Sequence, residues 1–261
     1  AEDNLANQHL AVVQLQHLGY RVVTVSTGMR AVEELARRYQ DYGLVLMDVQ
    51  MPEMDGFEAT RLIRRGEEIS GGHIPIVAMT ANVLHDDRQA CLDAGMDDFI
   101  GKPVLLDDLQ KVIARCFQHH EAGVEVRSVA LEPTSQDSLL DERILDDLRS
   151  LNQSDKPDFL MQLIELYFDD SKSLMQNISA AANPDDPDRL RKAVHSLKGI
   201  SSNLGAARLS KMCWQVENAI RNNLPLADDW LDALEHEYAI TCDALRQVSL
   251  HSKSETRGKL N

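Results

Sequence analysis

The chain has 261 residues, 43% of them hydrophobic, which is enough for two domains with a core each. Its formal net charge of −15 is spread over both halves, with 18 acidic against 11 basic residues up to position 120 and 24 against 16 beyond it, so neither half offers the basic face of a nucleic-acid binder. Cys91, Cys116, Cys213 and Cys242 form no C-x-x-C pair, which argues against a zinc site or disulfide framework and for a reducing, cytoplasmic compartment; no apolar run approaches the roughly 20 residues of a membrane span, and no secretory leader opens the chain.

Residues 21 to 118 alternate short β-rich runs with amphipathic stretches. After "AEDN" and a helix over about 5 to 18 that closes at Gly19 come "RVVTVS", a helix near "MRAVEELARR", then "GLVLMDV", "GFEATRLIRR", "IPIVAMTA", "DDRQACLDAG", "DFIGKP" and "LLDDLQKVIARCF". This βαβα order predicts a doubly wound parallel sheet with helices on both faces. Residues 119–140 lose the periodicity and read as a linker. From 141 to 250 only helical patterns follow, broken at "NPDDPD", "NLGA" and "NNLPLADD", which predicts a bundle of four main helices behind a short leading one. The polar tail 251–261 reads as disordered.

The polar residues of the first domain fall where strands end. "LVLMDV" reaches Asp48, "IPIVAMT" closes on Thr80, and "DFIG" is followed by Lys102. Open parallel sheets bind ligands at the carboxyl ends of their strands, so these groups are expected to converge. Glu2, Asp3 and Asp48 are hard oxygen ligands of the kind magnesium takes. An aspartate so placed can accept a phosphoryl group, with the metal and Lys102 neutralising the equatorial oxygens and Thr80 donating a hydrogen bond.

"EDN", "LVLMDVQMPEMDGFEATRLIR", "IPIVAMTAN" and "AGMDDFIGKP" together resemble the receiver domains of two-component signalling, over residues 1 to about 118. The resemblance implies a flavodoxin-like fold, Asp48 as phosphoacceptor, and Mg2+ held by Glu2, Asp3, Asp48 and the main-chain carbonyl of Gln50. It also implies Thr80 and Phe99 as a switch pair, Lys102 as the phosphate-sensing cation, and a cis bond before Pro103. The family's first strand precedes the acidic pair, and here only Ala1 does. That strand is thus largely absent from the chain, which predicts a fraying Glu2 and Asp3, in an excised piece of a longer polypeptide or a compromised metal site.

In "AVHSLKGISSNLGA", Leu190, Val194, Leu197, Ser201 and Leu204 fall on one helical stripe, while His195 lies about 140° from its centre and Gly199 nearly opposite. His195 is therefore expected to be exposed, with Arg191, Lys192 and Lys198 around it and room for a partner left by Gly199 at a helix cost of about 1 kcal/mol. A neutral imidazole is a competent phosphoryl nucleophile. "HSLKGISSNLGA" resembles the histidine-phosphotransfer domain, which implies that His195 carries phosphate with Lys198 and Gly199 in the family's positions. His119 and His120 receive no role, and Trp214 and Met212 are expected to pack between helices.

The joint expectation is a phosphorelay module similar to the C-terminal part of a hybrid sensor histidine kinase. An upstream histidine kinase phosphorylates Asp48, and His195 passes the group to a downstream response regulator, in the cytoplasm or tethered to the inner membrane through an upstream sensor region. The chain shows no P-loop and no kinase catalytic domain of its own. Two rivals stand beside it. One is a magnesium-dependent aspartyl phosphatase, disfavoured because Val49 and Gln50 follow Asp48 where that class has a second aspartate two residues on. The other is an inert receiver/phosphotransfer scaffold.

Overall fold

The three runs that end on polar residues form the sheet of the computed structural model, which describes residues 1–80, 85–118, 138–152, 158–182 and 186–258. Strands β1 (Val45–Asp48), β2 (Ile76–Thr80) and β3 (Asp98–Gly101) are parallel in the order β1-β2-β3. The register sets Asp48 opposite Met79 and Thr80 opposite Gly101. β2 is buried at every residue, as its unbroken apolar run requires of an inner strand covered on both faces.

The cover comes from α1 (Leu5–His17), α2 (Gly28–Arg38), α3 (Gly56–Ser70), α4 (His85–Asp93) and α5 (Leu106–Gln118). Asn4, Thr27 and Asp55 cap the first three by accepting main-chain N–H bonds. On one face Met47, Ile76 and Ala78 pack with Ala31 and Leu35 of α2 and Ala59 and Ile63 of α3. On the other, Val77, Met79 and Ile100 meet Leu109, Val112 and Ile113 of α5, with Leu15 of α1 alongside. Alternate residues of β2 thus serve opposite layers.

"RVVTVS" does not form the strand its composition suggests. Its Val25 O accepts from Glu2 N (3.0 Å), and Ala1 in turn meets β1, with Asp48 N donating to Ala1 O (2.9 Å) and Ala1 N to Leu46 O (2.8 Å). Beyond them lies a trench of about 320 Å³ whose walls include Val22, Val23, Leu44 and Leu46.

The chain divides into two units, Ala1–Glu132 and Pro133–Asn261. The second holds α6 (Glu142–Ser150), α7 (Phe159–Ala181), α8 (Pro187–Asn203), α9 (Ala207–Arg221) and α10 (Trp230–Gly258), four long helices behind a short one. Leu190, Val194, Leu197, Ser201 and Leu204 are all buried, as their stripe predicts. Trp214, expected between helices, is instead 41% exposed on α9. α10 runs to Gly258, so the backbone of 251–258 is helical where a disordered tail was expected; its Lys, Glu and Arg are good helix formers and no proline interrupts them. Residues 119–137 of the expected linker and 259–261 of the tail lie outside the described residues. No described helix is long and apolar enough to cross a membrane.

Candidate functional site

At the carboxyl end of β1, Asp48 is 3% exposed and sits with Glu2, Asp3 and Lys102. Lys102 arrives there because it directly follows β3, with its main-chain N–H donating to Thr80 O (2.7 Å) and a cis peptide bond joining it to Pro103. Its Nζ lies 2.8 Å from Glu2 Oε2 and 2.8 Å from Asp48 Oδ2. Glu2 does not fray: it is buried, and its Oε1 also accepts from Asn7 Nδ2 (2.8 Å). Its main-chain bond to Val25 and the packing of α1 against the sheet hold it there.

Three carboxylates against one ammonium leave the cluster short of positive charge. Burial, opposed by Lys102 and reinforced by Glu2, pushes Asp48 up to about 7. Burial and the Glu2 charge raise Asp3 to about 6. Glu2 itself is kept low despite burial by Lys102 and Asn7, and Lys102 is held above its usual range by Asp48 and Glu2, which outweigh the desolvation. Glu2, Asp3 and Asp48 each present an oxygen within 4.8 Å of the others. An all-oxygen donor set with excess negative charge fits a hard divalent cation, which would relieve the repulsion that adds to burial in raising Asp3 and Asp48.

The remaining receiver residues fall around this cluster. Gln50 meets Asp48 through its main-chain N–H, which donates to Oδ1 (3.3 Å). Thr80 ends β2, buried, one residue beyond the partner of Asp48. Phe99, opposite Ala78, points to the same face as Ala78 and Thr80 and packs partly buried against the core. Gly56 is a residue the sequence reading missed. It opens α3 behind the strand end, where a Cβ would stand 2.2 Å from Asp48 O and 3.0 Å from Met47 Cγ.

The second cluster lies on α8 and α9. His195 Nδ1 is 3.0 Å from Glu217 Oε1; the other oxygen of Glu217 accepts from Lys198 Nζ, and Arg221 Nη2 stands 3.5 Å from Oε1. Contrary to the single-stripe expectation, the His195 side chain is only 13% exposed, and Lys198 and Gly199 are buried. α8 packs against both α7 and α9, so the face opposite its apolar stripe is covered too. The positive charge expected around His195 is accordingly met by Glu217, while Arg191 faces Asp188 at 3.8 Å. Glu217 is 2% exposed, and although burial opposes it, the bonds from His195 and Lys198 hold its carboxyl down to about 2.

Comparison with known proteins agrees with both halves. The family model of the response regulator receiver domain matches residues 1–114, and that of the Hpt domain matches residues 162–247. The sensor histidine kinase GacS of Pseudomonas protegens is 30% identical over 239 residues, covering 90% of this chain and 25% of that protein. The sensory/regulatory protein RpfC of Xanthomonas campestris is 28% identical over 254 residues, covering 89% of this chain and 34% of its own length. The chain thus spans a quarter to a third of these relatives. Among solved structures, the receiver domain of the sensor histidine kinase PA1611 from Pseudomonas aeruginosa, crystallised with a magnesium ion in its active-site cleft, is 43% identical. It aligns with 44% of this chain and 91% of that domain at a TM-score of 0.40. With the strand-end acidic cluster on one unit and a helix-borne histidine on the other, the chain belongs to the response regulator receiver family over residues 1–114 and to the Hpt family over residues 162–247, the domain pair of phosphorelay signal transduction.

Proposed function

We propose that Asp48 and His195 are the two phosphoryl carriers of this relay module, Asp48 taking the group from an upstream histidine kinase and His195 handing it to a downstream response regulator. The observation that carries the reading is Lys102 Nζ at 2.8 Å from both Glu2 and Asp48, beside three carboxylates whose oxygens lie within 4.8 Å of one another. A carboxylate oxygen of Asp48 attacks phosphorus, the donor's phosphorus–nitrogen bond breaks, and its electron pair returns to the donor imidazole. Lys102 would move from the Asp48 oxygen to the new phosphoryl group, and Thr80, at the end of the neighbouring strand, would donate a hydrogen bond to it from its hydroxyl. Phe99, on the same face, is the partner through which that shift of Thr80 would be read out. Glu2, Asp3 and Asp48, with the peptide unit of Gln50 beside them, would hold Mg2+, which when bound neutralises the equatorial phosphoryl oxygens. Lys198 would stabilise the phosphoryl group on His195. Cys91, Cys116, Cys213 and Cys242 are buried and not joined in disulfides, which suits a cytoplasmic setting.

The alternative, a scaffold made inert by the missing first strand, predicts no magnesium dependence, and the burial and bonding of Glu2 beside Asp48 speak against it. The test is phosphoryl incorporation from a small acyl-phosphate donor. Base-labile label that requires magnesium and disappears in Asp48→Asn is expected. A parent chain left unlabelled by the donor, while folded and binding magnesium, would favour the scaffold.

A further inference from the structure

We propose that the seam between α9 and α10 contains an internal hydration site, in which one water molecule bridges Glu237 Oε1 and Thr241 Oγ1 and Arg208 closes the way to solvent. The inference stands apart from the phosphoryl-carrier reading and neither needs nor supports it.

Leu234, Glu237, Thr241 and Leu245 follow one another along α10 at steps of three and four residues, which puts them on one stripe of the helix. All four are buried: Thr241 and the two leucines are 0% exposed and Glu237 is 4% exposed. Two polar side chains thus interrupt the middle of an apolar stripe. Other buried hydroxyls of the bundle pair with one another, Tyr167 OH with Ser201 Oγ at 3.2 Å and Ser171 Oγ with Tyr238 OH at 3.1 Å. Glu237 Oε1 and Thr241 Oγ1 are as enclosed as these, yet no described protein group hydrogen-bonds to either. Buried polar atoms seldom go unpaired, and here two of them lie one helical turn apart.

The chemistry of the two oxygens selects the ligand. Glu237 Oε2 accepts from Arg208 Nη2 at 2.6 Å, and the carboxylate of such an ion pair can only accept, whereas a threonine hydroxyl can donate as well. The bridging group must therefore donate to Oε1 while meeting the hydroxyl in either sense. A cation is not called for, because the guanidinium already balances the carboxylate, and an anion would be repelled by it. Water satisfies both oxygens: Thr241 Oγ1 donates to it, and it donates to Glu237 Oε1. Its second hydrogen is left for the spare lone pair of a helix carbonyl, within the two to four partners usual for a buried water. Side chains one turn apart have Cβ atoms about 5–6 Å from each other, a span that a bridging water covers.

Arg208 gives the site its door. It lies in the first turn of α9, and its side chain is 43% exposed while the carboxylate it holds is buried, so the guanidinium stands between Glu237 and solvent. Leu234 and Leu245 flank the two polar residues along the stripe. The water would extend the Arg208–Glu237 contact by one turn of α10, tying the start of α9 to Thr241.

The test uses the full chain, with water itself as the probe. Oxygen-17 relaxation dispersion of the solvent counts water molecules held for longer than the protein takes to tumble, and it is blind to exchanging hydroxyl protons. The unsubstituted chain is expected to hold about one such water more than Thr241→Val and the same number as Thr241→Ser. In Arg208→Ala that water should exchange faster, shifting its dispersion to higher frequency. Urea unfolding supplies an independent sign, because valine keeps the shape of threonine and lacks only the hydroxyl. If Oγ1 is merely unpaired, Thr241→Val removes an unsatisfied group and raises the midpoint. If water bridges the two residues, the same change strands Glu237 Oε1 and lowers the midpoint by about 0.5 M or more. A midpoint that is unchanged or raised, or an equal water count in folded Thr241→Val, overturns the proposal. A count of zero in the unsubstituted chain overturns it without any variant.

Discussion

Lys102 faces two buried carboxylates, with a third, Asp3, beside them. Removing one member of such a cluster leaves buried charge unbalanced, so Lys102→Met is expected to cost about 3 kcal/mol of stability in metal-free buffer. Urea unfolding of the receiver unit would measure this, with part of the loss recovered by millimolar magnesium; an unchanged midpoint would contradict the charge assignment. Glu217 makes a prediction of pH dependence. Its carboxyl is held down from 4.5 to about 2, so the stability it contributes is complete above pH 4.5 and is lost as pH falls toward 2. The stability gap between the parent and Glu217→Gln, on the order of 3 kcal/mol at its largest, should therefore shrink between pH 5 and pH 2; a gap independent of pH would refute the assignment. Asp48, Thr80 and Lys102 were legible in the sequence because apolar strands end on them. Glu217 was not, since nothing in the spacing of residues 195 and 217 links them; the available signal was an acid set in the buried stripe of α9.

At the scale of elements, the contact between α3 and the end of β1 is the most demanding. Gly56 lets the first turn of α3 pass behind Asp48 where a Cβ would meet main-chain oxygen at 2.2 Å, and backbone cannot yield as a flexible side chain does. Gly56→Ala should destabilise the receiver unit by about 1–3 kcal/mol and weaken magnesium binding by displacing Asp48, as read by calorimetric titration. Wild-type stability and affinity in that variant would show that the strand end can shift freely. The strands and helices themselves were readable from periodicity, and α8 fell where its stripe and the "NPDDPD" and "NLGA" breaks put it. Two elements were not. "RVVTVS" has strand composition but forms no strand in the sheet, so composition alone did not decide it. The exposure of His195 was misjudged because helical geometry locates one apolar stripe, while α8 packs against both α7 and α9. A buried Lys198 bonded to a buried Glu217 is how a polar face survives that second contact.

For the whole molecule, two units of different architecture carry the two proposed phosphoryl carriers, a carboxylate at a strand end and an imidazole on a helix bundle. Their order along the chain was legible because strand-length and helix-length patterns separate cleanly near residue 119. The central claim is that a phosphoryl group reaches His195 by way of Asp48, and the most direct measurement is a time course of incorporation from an acyl-phosphate donor with magnesium in the parent, Asp48→Asn and His195→Gln chains. The account predicts base-labile label at Asp48 first, followed by base-stable, acid-labile label at His195, the latter absent from both variants and the former retained in His195→Gln. Base-stable label appearing at His195 in Asp48→Asn as fast as in the parent would contradict it.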